Sequence, residues 1–589
     1  MNIIGLSALY HDASCCLLKD GELVAAASEE RFSRLKFDPR MPVQAFRYCL
    51  EAGGLLPTDI DVVAYYESPS KKLSRQLWAQ VSDHKLPDLA RLDPLRPERE
   101  IRERLGYLGP IDFFDHHLSH AASAYYFSGF PEAAVLTVDG VGEWATTSYG
   151  RGSGDDLEQL EEVEFPHSIG LFYSTITSYL GFRVNSDEYK VMGLAPYGKP
   201  TLVEPLRQLL ISQPQGQFRL GLEFFDFLGG PRMYSQRLCE LLGQPARARG
   251  AELTTFHKDL ARSLQTVLED VLLEKARYLA DRVGSRSLCM GGGVALNCVA
   301  NGRIAREGPF ARVFVQPAAG DTGGCLGAAA LAHRKHRGVR HTQKRLTHVC
   351  LGPETSTEQV ARLLADTGAP ARDLRGRDEE LFDEVAGRLE RGQVIGWFQG
   401  RMEFGPRALG CRSILASPLV PDIRERLNLL IKKREDFRPF APSVLAEHAA
   451  EHFALDHASP FMLETCQVIS KLALPGITHV DGSARPQTVD EHAHPRYRAL
   501  IRRFHQRTGC PLIINTSFNV ADEPIVCTAE EALLCMVKAS LDALVLDSFL
   551  LVREDLPESW PHLVATLQGG YHGPASKKSA IEENLYTFV

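Results

Sequence analysis

The stretch AAVLTVDGVGEWATTSYG, residues 133–150, decides the fold. Two apolar segments rich in β-branched residues flank a glycine-containing turn, which predicts strand, turn and strand. The N-terminus repeats this pattern, with strands predicted over residues 2–6, 15–18 and 22–27, a turn at His11-Asp12 and a hairpin turn at Asp20-Gly21. Two such ribbons, each with an acid at its turn, indicate a duplicated nucleotide-binding fold.

Two further glycine-rich loops follow predicted strands and enter helices. They are MGGGVALNCVANGRI, from Met290, and PAAGDTGGCLGAA, from Pro317. Backbone N–H groups at a helix N-terminus bind anions, and glycine lets a phosphate approach closely. In the first stretch, Asp139 of DGVGE could hold a metal or its water, although a single glycine-rich hairpin is more often just a turn. Three such loops together, however, resemble the actin, sugar kinase and heat-shock ATPase superfamily, in which ATP lies in a cleft between two duplicated subdomains.

The segment DHHLSHAASAYY, from Asp115, contains three histidines. On a helix, His116 and His120 share a face, whereas His117 lies about 100° away. The pair could bind one metal ion if a carboxylate joined it, and Asp321 of the GDTGG loop is the candidate. The alternative is a solvated or capped helix end that happens to be rich in histidine.

The second half of the chain concentrates cations between aromatic, proline and glycine residues. Its motifs are GRMEFGPRALGCRSILASP, IKKREDFRPFAPSVL, THVDGSARPQTV and INTSFNVADEPIVCT. A run of Arg and Lys is usually a solvated face. Here the interleaved Phe, Pro and Gly favour a cavity in which arginine binds phosphate or carboxylate.

Composition excludes several classes of protein. The chain has 589 residues, which suggests two to four domains, and its net charge of −8 gives no chain-wide basic surface for nucleic acid. Its 13 cysteines include no CxxC pair, which argues against a disulfide framework or a structural zinc site. We expect a cytoplasmic protein with no membrane span.

The pattern along the chain predicts a domain boundary near residue 345, giving domains 1–345 and 346–589. A long amphipathic helix is predicted from Leu260 into a strand at Leu288. Residues 85–109 are predicted to form a charged surface helix, and residues 200–257 a helical insertion.

At this point the sequence resembles the O-carbamoyltransferases of the nodulation-protein-U and cephem or aminoglycoside type. The motifs that carry the resemblance span nearly the whole chain: HDASCCLLKDGELVAAASEERFSR, HHLSHAASAYY, TVDGVGE, SIGLFYSTITSYLGF, EYKVMGLAPYG, GGGVALNCVANG, PAAGDTGG, FGPRALGCRSILA, KKREDFRPFAPSV, THVDGSARPQTV and NTSFNVADEPIV. One departure is Tyr189, where the family pattern has glycine.

The resemblance implies an α/β protein with an N-terminal actin-like duplicated fold and a C-terminal YrdC-like domain. Carbamoyl phosphate would be converted with ATP to carbamoyl adenylate in the second domain. The first domain would pass the carbamoyl group to a hydroxyl of a small-molecule natural product, in antibiotic or toxin biosynthesis for example. The implied metal is iron(II), with magnesium on the nucleotide, and a homodimer is the family-level expectation.

The resemblance also assigns roles to residues. The metal ligands would be His116, His120 and Asp321, and the acceptor's base would come from His11 and Asp12, for which a structural turn is the alternative. The adenylate would be held by Asp139, Gly140, Gly142, Lys190, Gly292, Gly293, Asn297 and Gly320. Carbamoyl phosphate would be bound by Arg401, Arg407, Lys433, Arg438, Arg485, Asn515 and Ser517.

Two other functions remain compatible with parts of the pattern. A tRNA threonylcarbamoyl-type transferase shares both folds, although the net charge of −8 argues against RNA binding. A non-enzymatic ATP-binding regulator of the actin superfamily would need neither the histidine pair nor the cationic second half. Acceptor contacts are expected in the stretches 70–110 and 200–257.

Overall fold

The structure is a computed structural model that describes residues 1–83, 92–229, 232–337, 345–432 and 434–560. The chain forms two compact units. Of the described residues, the first unit contains Met1–Glu29 and Pro39–Leu346, and the second contains Glu30–Asp38 and residues 347–560. A short N-terminal segment therefore belongs to the unit that the C-terminal half builds.

The first sheet of the first unit has the strand order β3-β2-β1-β4-β5. Its strands are β1 Asn2–Ser7, β2 Ser14–Lys19, β3 Glu22–Ser28, β4 Val62–Tyr65 and β5 Ile111–Phe113. The first three strands form an antiparallel ribbon, and β4 and β5 extend the sheet in parallel to β1. The predicted N-terminal ribbon is confirmed.

The second sheet repeats this topology in the order β12-β11-β6-β7-β8. Its strands are β6 Glu132–Val138, β7 Ala145–Ser153, β8 Asp156–Glu164, β11 Ser287–Gly291 and β12 Arg312–Val315, and a separate hairpin consists of β9 Leu210–Ser212 and β10 Phe218–Leu220. Strands β6, β7 and β8 are antiparallel neighbours, while β11 and β12 run parallel to β6. The predicted duplication is thus confirmed in the sheet order of both halves.

Helices cover and connect these two sheets. They are Val43–Gly53, Pro69–Asp83, Arg96–Leu105, His116–Tyr125, Ile169–Tyr179, Glu188–Leu194, Val203–Arg207, Gln236–Leu242, Thr255–Val283, Cys298–Glu307 and Gly324–Arg337. Helix His116–Tyr125 packs on β6 and β11 and against helix Gly324–Arg337, which packs on β1. The two helices cross closely, because a Cβ at Gly327 would lie 1.7 Å from the Ser119 carbonyl oxygen.

The prediction of a helical insertion over residues 200–257 is wrong for most of its length. The segment forms two short helices, Val203–Arg207 and Gln236–Leu242, and the hairpin β9–β10. Pro200, Pro205, Pro214, Gly216 and Gly221 recur too often for a long helix, because proline lacks the N–H donor and glycine favours turns. The long helix predicted from Leu260 does form, as Thr255–Val283. The charged helix predicted over residues 85–109 is seen as Arg96–Leu105, and residues 84–91 lie outside the described part.

The second unit is built on a mixed eight-stranded sheet in the order β13-β22-β21-β14-β15-β20-β16-β19. Its strands are β13 Ala371–Asp373, β14 Ile395–Phe398, β15 Arg412–Ala416, β16 Ala441–Leu445, β17 Cys466–Gln467, β18 Ser483–Ala484, β19 Gln487–Val489, β20 Leu512–Ser517, β21 Ala543–Leu546 and β22 Phe549–Val552, of which β17 and β18 form a separate pair.

The helices of the second unit are Glu30–Ser33, Thr357–Asp366, Asp378–Glu390, Ile423–Arg426, the π-helix Leu427–Lys432, Ala449–His452, Pro495–Thr508 and Ala529–Lys538. Its core includes Trp397, Phe504 and Leu544, none of which is exposed. Both units are therefore α/β, as predicted. Among the described residues, none of the helices has the length and apolar character needed to cross a membrane.

Candidate active site

The histidines of helix His116–Tyr125 lie inside the first unit. His116 and His117 are each 2% exposed and His120 is fully buried. The Glu143 carboxylate accepts a hydrogen bond from the His116 backbone N–H and so satisfies a free donor at the start of this helix. The alternative interpretation, a solvated helix end that happens to be rich in histidine, is therefore wrong.

Four buried side chains converge at this helix: His116, His120, Asp139 and Asp321. One ligand atom from each lies within 4.8 Å of the other three. The Nε2 atoms of His116 and His120 are 3.0 Å apart, and the His116 Nε2 is 3.0 Å from Asp139 Oδ2. Asp321 Oδ1 lies 3.5 Å from both imidazole Nε2 atoms.

These distances fit a divalent cation. Ligand atoms bound at about 2.1 Å lie about 3.0 Å apart in octahedral geometry and about 3.4 Å apart in tetrahedral geometry. Two imidazoles and two carboxylates suit iron, zinc and other first-row metals. The Nδ1 atoms of His116 and His120 are buried without a hydrogen-bond partner. Only the Nε2 side of each ring thus meets other polar groups, and those groups are the other three members of the cluster.

The two carboxylate oxygens of Asp139 contact different parts of the site. Its Oδ2 belongs to the cluster, while its Oδ1 accepts a 2.7 Å hydrogen bond from the Gly293 backbone N–H. The carboxylate therefore ties the end of β6 to the glycine turn after β11. The sequence analysis assigned Asp139 to the adenylate, whereas the geometry places it among the four potential metal ligands. The sequence marks Asp139 as an acid at the end of a predicted strand, but it does not show that this strand ends beside the histidine helix.

His11 and Asp12 lie beside this cluster. The His11 Nε2 is 3.8 Å from Asp321 Oδ2, and its Nδ1 is 3.1 Å from Asp12 Oδ2. Burial lowers the pKa of His11, but the Asp321 and Asp12 carboxylates outweigh burial and raise it to about 9. Tyr66, which the sequence analysis missed, donates a 3.4 Å hydrogen bond to Asp321 Oδ2.

His117 points away from the four-group cluster, as the helical spacing predicts. Its Nδ1 lies 2.6 Å from Ser148 Oγ, on strand β7. Burial and the neighbouring His116 hold the pKa of His117 well below its ordinary value. His117 is thus a neutral residue that connects the helix to the second sheet.

The glycines of the predicted phosphate loops differ in whether a side chain would fit at their positions. A Cβ at Gly140 would meet nothing within 4 Å, so this part of the loop is open to an approaching group. Gly142 packs against His116, because a Cβ there would lie 3.1 Å from that ring. Gly292 has φ +87°, and a Cβ there would lie 2.3 Å from the Val138 carbonyl oxygen. Gly320 precedes Asp321 and has only Leu296 within 4 Å of a Cβ position.

Two other residues assigned to the adenylate have structural partners. Asn297 caps helix Cys298–Glu307 through a 3.0 Å bond from the Ala300 N–H, and its amide also pairs with Gln265. Lys190 lies 3.2 Å from Asp187 Oδ1. The capping role of Asn297 follows from its place just before the helix.

In the second unit, Glu403 organises the loop that contains FGPRALG. The Glu403 side chain is 3% exposed, and its Oε1 accepts hydrogen bonds from the backbone N–H groups of Leu409, Cys411 and Arg412. Arg401 donates to the carbonyls of Leu351 and Gly352. Arg401 is therefore engaged with backbone oxygens, and Arg407 lies half-buried on the same loop.

Lys432 meets the end of strand β20. Its Nζ donates to the carbonyl oxygens of Ser517 and Asn519, at 2.6 and 2.9 Å, and also reaches both side-chain oxygens. Burial, and then the charges of Arg434, Arg438 and Lys36, hold the pKa of Lys432 well below its ordinary value. The neighbouring Lys433, which the sequence analysis assigned to carbamoyl phosphate, lies outside the described residues.

Asn515 sits in a buried polar group on the same sheet. Its Nδ2 donates to the Ala408 carbonyl, to Ser443 Oγ and to Gln487 Oε1, and Ser443 also donates to Gln487 at 2.6 Å. The Asn515 Oδ1 is buried and has no hydrogen-bond partner. Because buried polar atoms nearly always have a partner, this unpaired oxygen marks Asn515 as a candidate ligand contact.

The remaining predicted cations are half-buried. Arg438 lies 3.6 Å from Glu435. Arg485 follows strand β18 and makes no hydrogen bond or ion pair with the described residues. Of the predicted donor-site residues, Asn515 and Ser517 come together on β20, two positions apart.

Two family models match most of the chain. A model of the carbamoyltransferase N-terminus matches residues 2–88 and 98–330, and a model of the carbamoyltransferase C-terminus matches residues 386–553. The chain is 43% identical to the uncharacterized protein sll1178 of Synechocystis sp. over 95% of this chain and 97% of that protein.

Two further relatives carry more informative names. Nodulation protein NolNO of Sinorhizobium fredii is 39% identical over 95% of this chain and 82% of its own length. The 3'-hydroxymethylcephem-O-carbamoyltransferase of Amycolatopsis lactamdurans is 36% identical, over 44% of this chain and 48% of its own length. The two family models together match most of the chain, in order. The protein therefore belongs to the carbamoyltransferase family and is a transferase.

Proposed function

We propose that the protein is an ATP-dependent O-carbamoyltransferase that moves the carbamoyl group of carbamoyl phosphate, through carbamoyl adenylate, to a hydroxyl of a small-molecule natural product. The observation that carries this proposal is the buried cluster of His116, His120, Asp139 and Asp321 in a chain of the carbamoyltransferase family. Gly140, next to Asp139 in the first glycine loop, is open to an approaching phosphate, and Asp139 links the cluster to the glycine turn at Gly293.

The donor chemistry belongs to the second unit, for which we propose a YrdC-type role. Water cleaves carbamoyl phosphate to carbamate and phosphate, a carbamate oxygen attacks the α-phosphorus of ATP, and pyrophosphate leaves. Apart from water, every reactant and product of this step is anionic. The half-buried guanidinium groups of Arg407, Arg438 and Arg485 supply positive charge, and the Asn515 and Ser517 side chains supply polar contacts on β20.

Transfer belongs to the first unit. The acceptor hydroxyl attacks the carbamoyl carbon, AMP leaves with the bridging oxygen, and the hydroxyl proton must be removed. We assign this proton to the pair of His11 and Asp12, whose Nδ1 and Oδ2 atoms lie 3.1 Å apart. Because the Asp321 and Asp12 carboxylates raise the pKa of His11 to about 9, the neutral imidazole that accepts a proton predominates only above that pH. Asp139 keeps the Gly293 N–H in place at the nucleotide loop.

We propose that His116, His120, Asp139 and Asp321 hold a divalent metal, iron(II) by resemblance to the family, with magnesium accompanying ATP. Such an ion would polarise the carbamoyl oxygen and stabilise charge that develops there. Tyr66 donates a hydrogen bond to Asp321 and thereby orients one ligand.

The relatives' names support a small-molecule acceptor. One is named for a hydroxymethylcephem and others for nodulation. We propose a hydroxylated natural product as the acceptor, a cytoplasmic location and a homodimeric state. Analytical ultracentrifugation tests the last of these, and a single monomer boundary would contradict it.

The experiment combines purified protein with ATP, carbamoyl phosphate, Mg²⁺ and iron(II) under anaerobic conditions. The proposal predicts release of pyrophosphate that requires carbamoyl phosphate. An Arg485→Ala variant should lose this release, whereas Glu425→Ala, at an exposed position, serves as the matched control. Absence of carbamoyl-phosphate-dependent pyrophosphate from the unaltered protein would overturn the proposal.

A further inference from the structure

We infer that Glu30–Asp38, here called the strap, positions the donor site of the second unit. These nine residues lie between β3 and helix Val43–Gly53 in sequence, but they belong to the second unit. The inference rests on the proposed donor chemistry. It assigns Arg31 and Arg34 as positioning residues for carbamoyl phosphate, acting through two loops that they hold.

Arg34 holds the loop that follows strand β20. Its Nη1 and Nη2 donate to the carbonyl oxygens of Ile525 and Pro524, both at 2.7 Å. The Nη1 also lies 3.1 Å from Glu531 Oε2 in a region where both side chains are nearly buried. A planar guanidinium can bind two adjacent carbonyls and a carboxylate at once, which a lysine ammonium cannot match in geometry.

Arg31 holds the loop that contains FGPRALG. Its Nη2 donates a 3.0 Å hydrogen bond to the Gly405 carbonyl oxygen, two residues before Arg407. Gly405 has φ +111°, a conformation that other residues rarely adopt. The contact therefore fixes the loop at the point where its backbone takes an unusual turn.

The strap also packs against both loops. Phe32 contacts a small apolar cluster formed by Met402, Ala408, Ile525 and Cys527. Met402 and Ala408 come from the FGPRALG loop, and Ile525 and Cys527 come from the loop after β20. One side chain of the strap thus bridges the two loops, and truncating it would remove apolar contacts from each.

The strap has internal bonds that set its shape. Glu30 Oε2 accepts a hydrogen bond from the Phe37 N–H at 2.9 Å, and Glu30 Oε1 lies 2.8 Å from Arg31 Nη1. Arg34 also donates to the Arg31 carbonyl at 3.4 Å. These bonds fix the two arginines relative to each other within the strap.

One of the two loops carries a residue assigned to the donor, and the other adjoins one. The FGPRALG loop presents Arg407. The loop after β20 directly follows Ser517, the last residue of that strand, and includes Asn519, whose carbonyl and side-chain oxygens bind Lys432. Lys36 of the strap is one of the charges that lower the pKa of Lys432. A change in the strap should therefore alter the affinity for carbamoyl phosphate more than the affinity for ATP.

The test measures pyrophosphate release by the full chain while carbamoyl phosphate and ATP are varied separately. We expect Arg34→Ala to raise the KM for carbamoyl phosphate about 10-fold or more, with the KM for ATP changed less than about 2-fold. Arg34→Lys should retain the charge beside Glu531 and show an intermediate KM. Arg47→Ala, at an exposed position on helix Val43–Gly53, is the matched control.

Folding is checked in each variant by thermal unfolding. If Arg34→Ala does not fold, Arg34→Lys and Arg31→Lys carry the test. An unchanged KM for carbamoyl phosphate in these folded variants would overturn the inference, as would an equal rise in both KM values. If the unaltered protein releases no pyrophosphate, the proposed function fails. The inference about the strap is then tested by calorimetry, which compares the affinity of the unaltered protein and of Arg34→Lys for carbamoyl phosphate. Equal affinities would overturn the inference.

Discussion

The Nε2 atoms of His116 and His120 lie 3.0 Å apart inside the first unit, one helical turn from each other. Two ring nitrogens at this distance repel each other unless a proton or a cation lies between them. The carboxylates of Asp139 and Asp321 meet the same two atoms. A divalent cation satisfies all four groups at once, which is why this helix is central to the account.

Removing one imidazole should remove the metal. We expect the unaltered protein to bind one iron(II) or zinc per chain and His120→Ala to lose it, because three ligands remain of four and one buried position is left empty. Metal content after anaerobic loading and desalting, measured by mass spectrometry, checks this. His117→Gln is the matched control, since His117 lies outside the cluster. Equal metal content in His120→Ala and the control would contradict the assignment.

Asp139 should affect metal and nucleotide together. An Asp139→Asn amide can keep one oxygen for the Gly293 N–H but places an NH₂ group or a weaker oxygen ligand at the cluster. We expect metal affinity to fall about 10-fold or more while ATP binding changes little. Asp139→Ala should weaken both, because the Gly293 N–H loses its acceptor. Metal titration and ATP calorimetry on both variants separate the two effects, and unchanged metal affinity in Asp139→Asn would show that Asp139 is not a ligand.

Glu403 should be critical for stability of the second unit. Glu403→Ala removes the acceptor of three backbone N–H groups in a buried loop, and we expect a loss of about 2–4 kcal/mol in the free energy of unfolding. Urea unfolding measures the loss. Glu425→Ala, at an exposed site, should change stability by less than about 0.5 kcal/mol. A loss of similar size in both variants would contradict the role of Glu403.

His494 should make the free energy of unfolding depend on pH. Burial, with Arg496 and Arg412 nearby, lowers the pKa of His494 from 6.5 to about 4. Between these values the unfolded chain binds a proton that the folded chain does not, so stability is full above pH 6.5 and falls as the pH drops toward 4. The effect is at most about 3 kcal/mol. The free energies of unfolding of the unaltered protein and of His494→Gln are measured from pH 7 to 4. Their difference should shrink by up to about 3 kcal/mol over this range. A difference that stays constant with pH would contradict the lowered pKa of His494.

The local chemistry of the first unit could be predicted from the sequence because it depends on short-range rules. The spacing of His116 and His120 placed them on one helical face, and the two strand–turn–strand ribbons indicated the duplication. Asp139 joins the histidines only because β6 ends beside their helix, a non-local relationship. The sequence could suggest Asp139 for phosphate or metal but could not choose between the two.

Long-range packing explains what the sequence left out. Asn297 was predicted to hold nucleotide, yet its amide caps a helix and pairs with Gln265, which lies 32 residues away. The strap joins loops more than 370 residues further along the chain, as the bond from Arg31 to Gly405 illustrates. No periodicity or motif spacing encodes a contact of that separation. The hydrogen bonds from Arg401 to backbone carbonyls could not be predicted either, because a sequence motif identifies a charged side chain but not the groups that it contacts.

The most direct test follows the carbamoyl group itself. Carbamoyl phosphate labelled with ¹³C is mixed with ATP, Mg²⁺ and iron(II), and the products are separated by mass spectrometry. We predict labelled carbamoyl adenylate with the unaltered protein and with Asp321→Asn, in which only transfer should fail, and none with Arg485→Ala. Absence of labelled adenylate from both of the first two proteins, with carbamoyl phosphate unconsumed, would contradict the account.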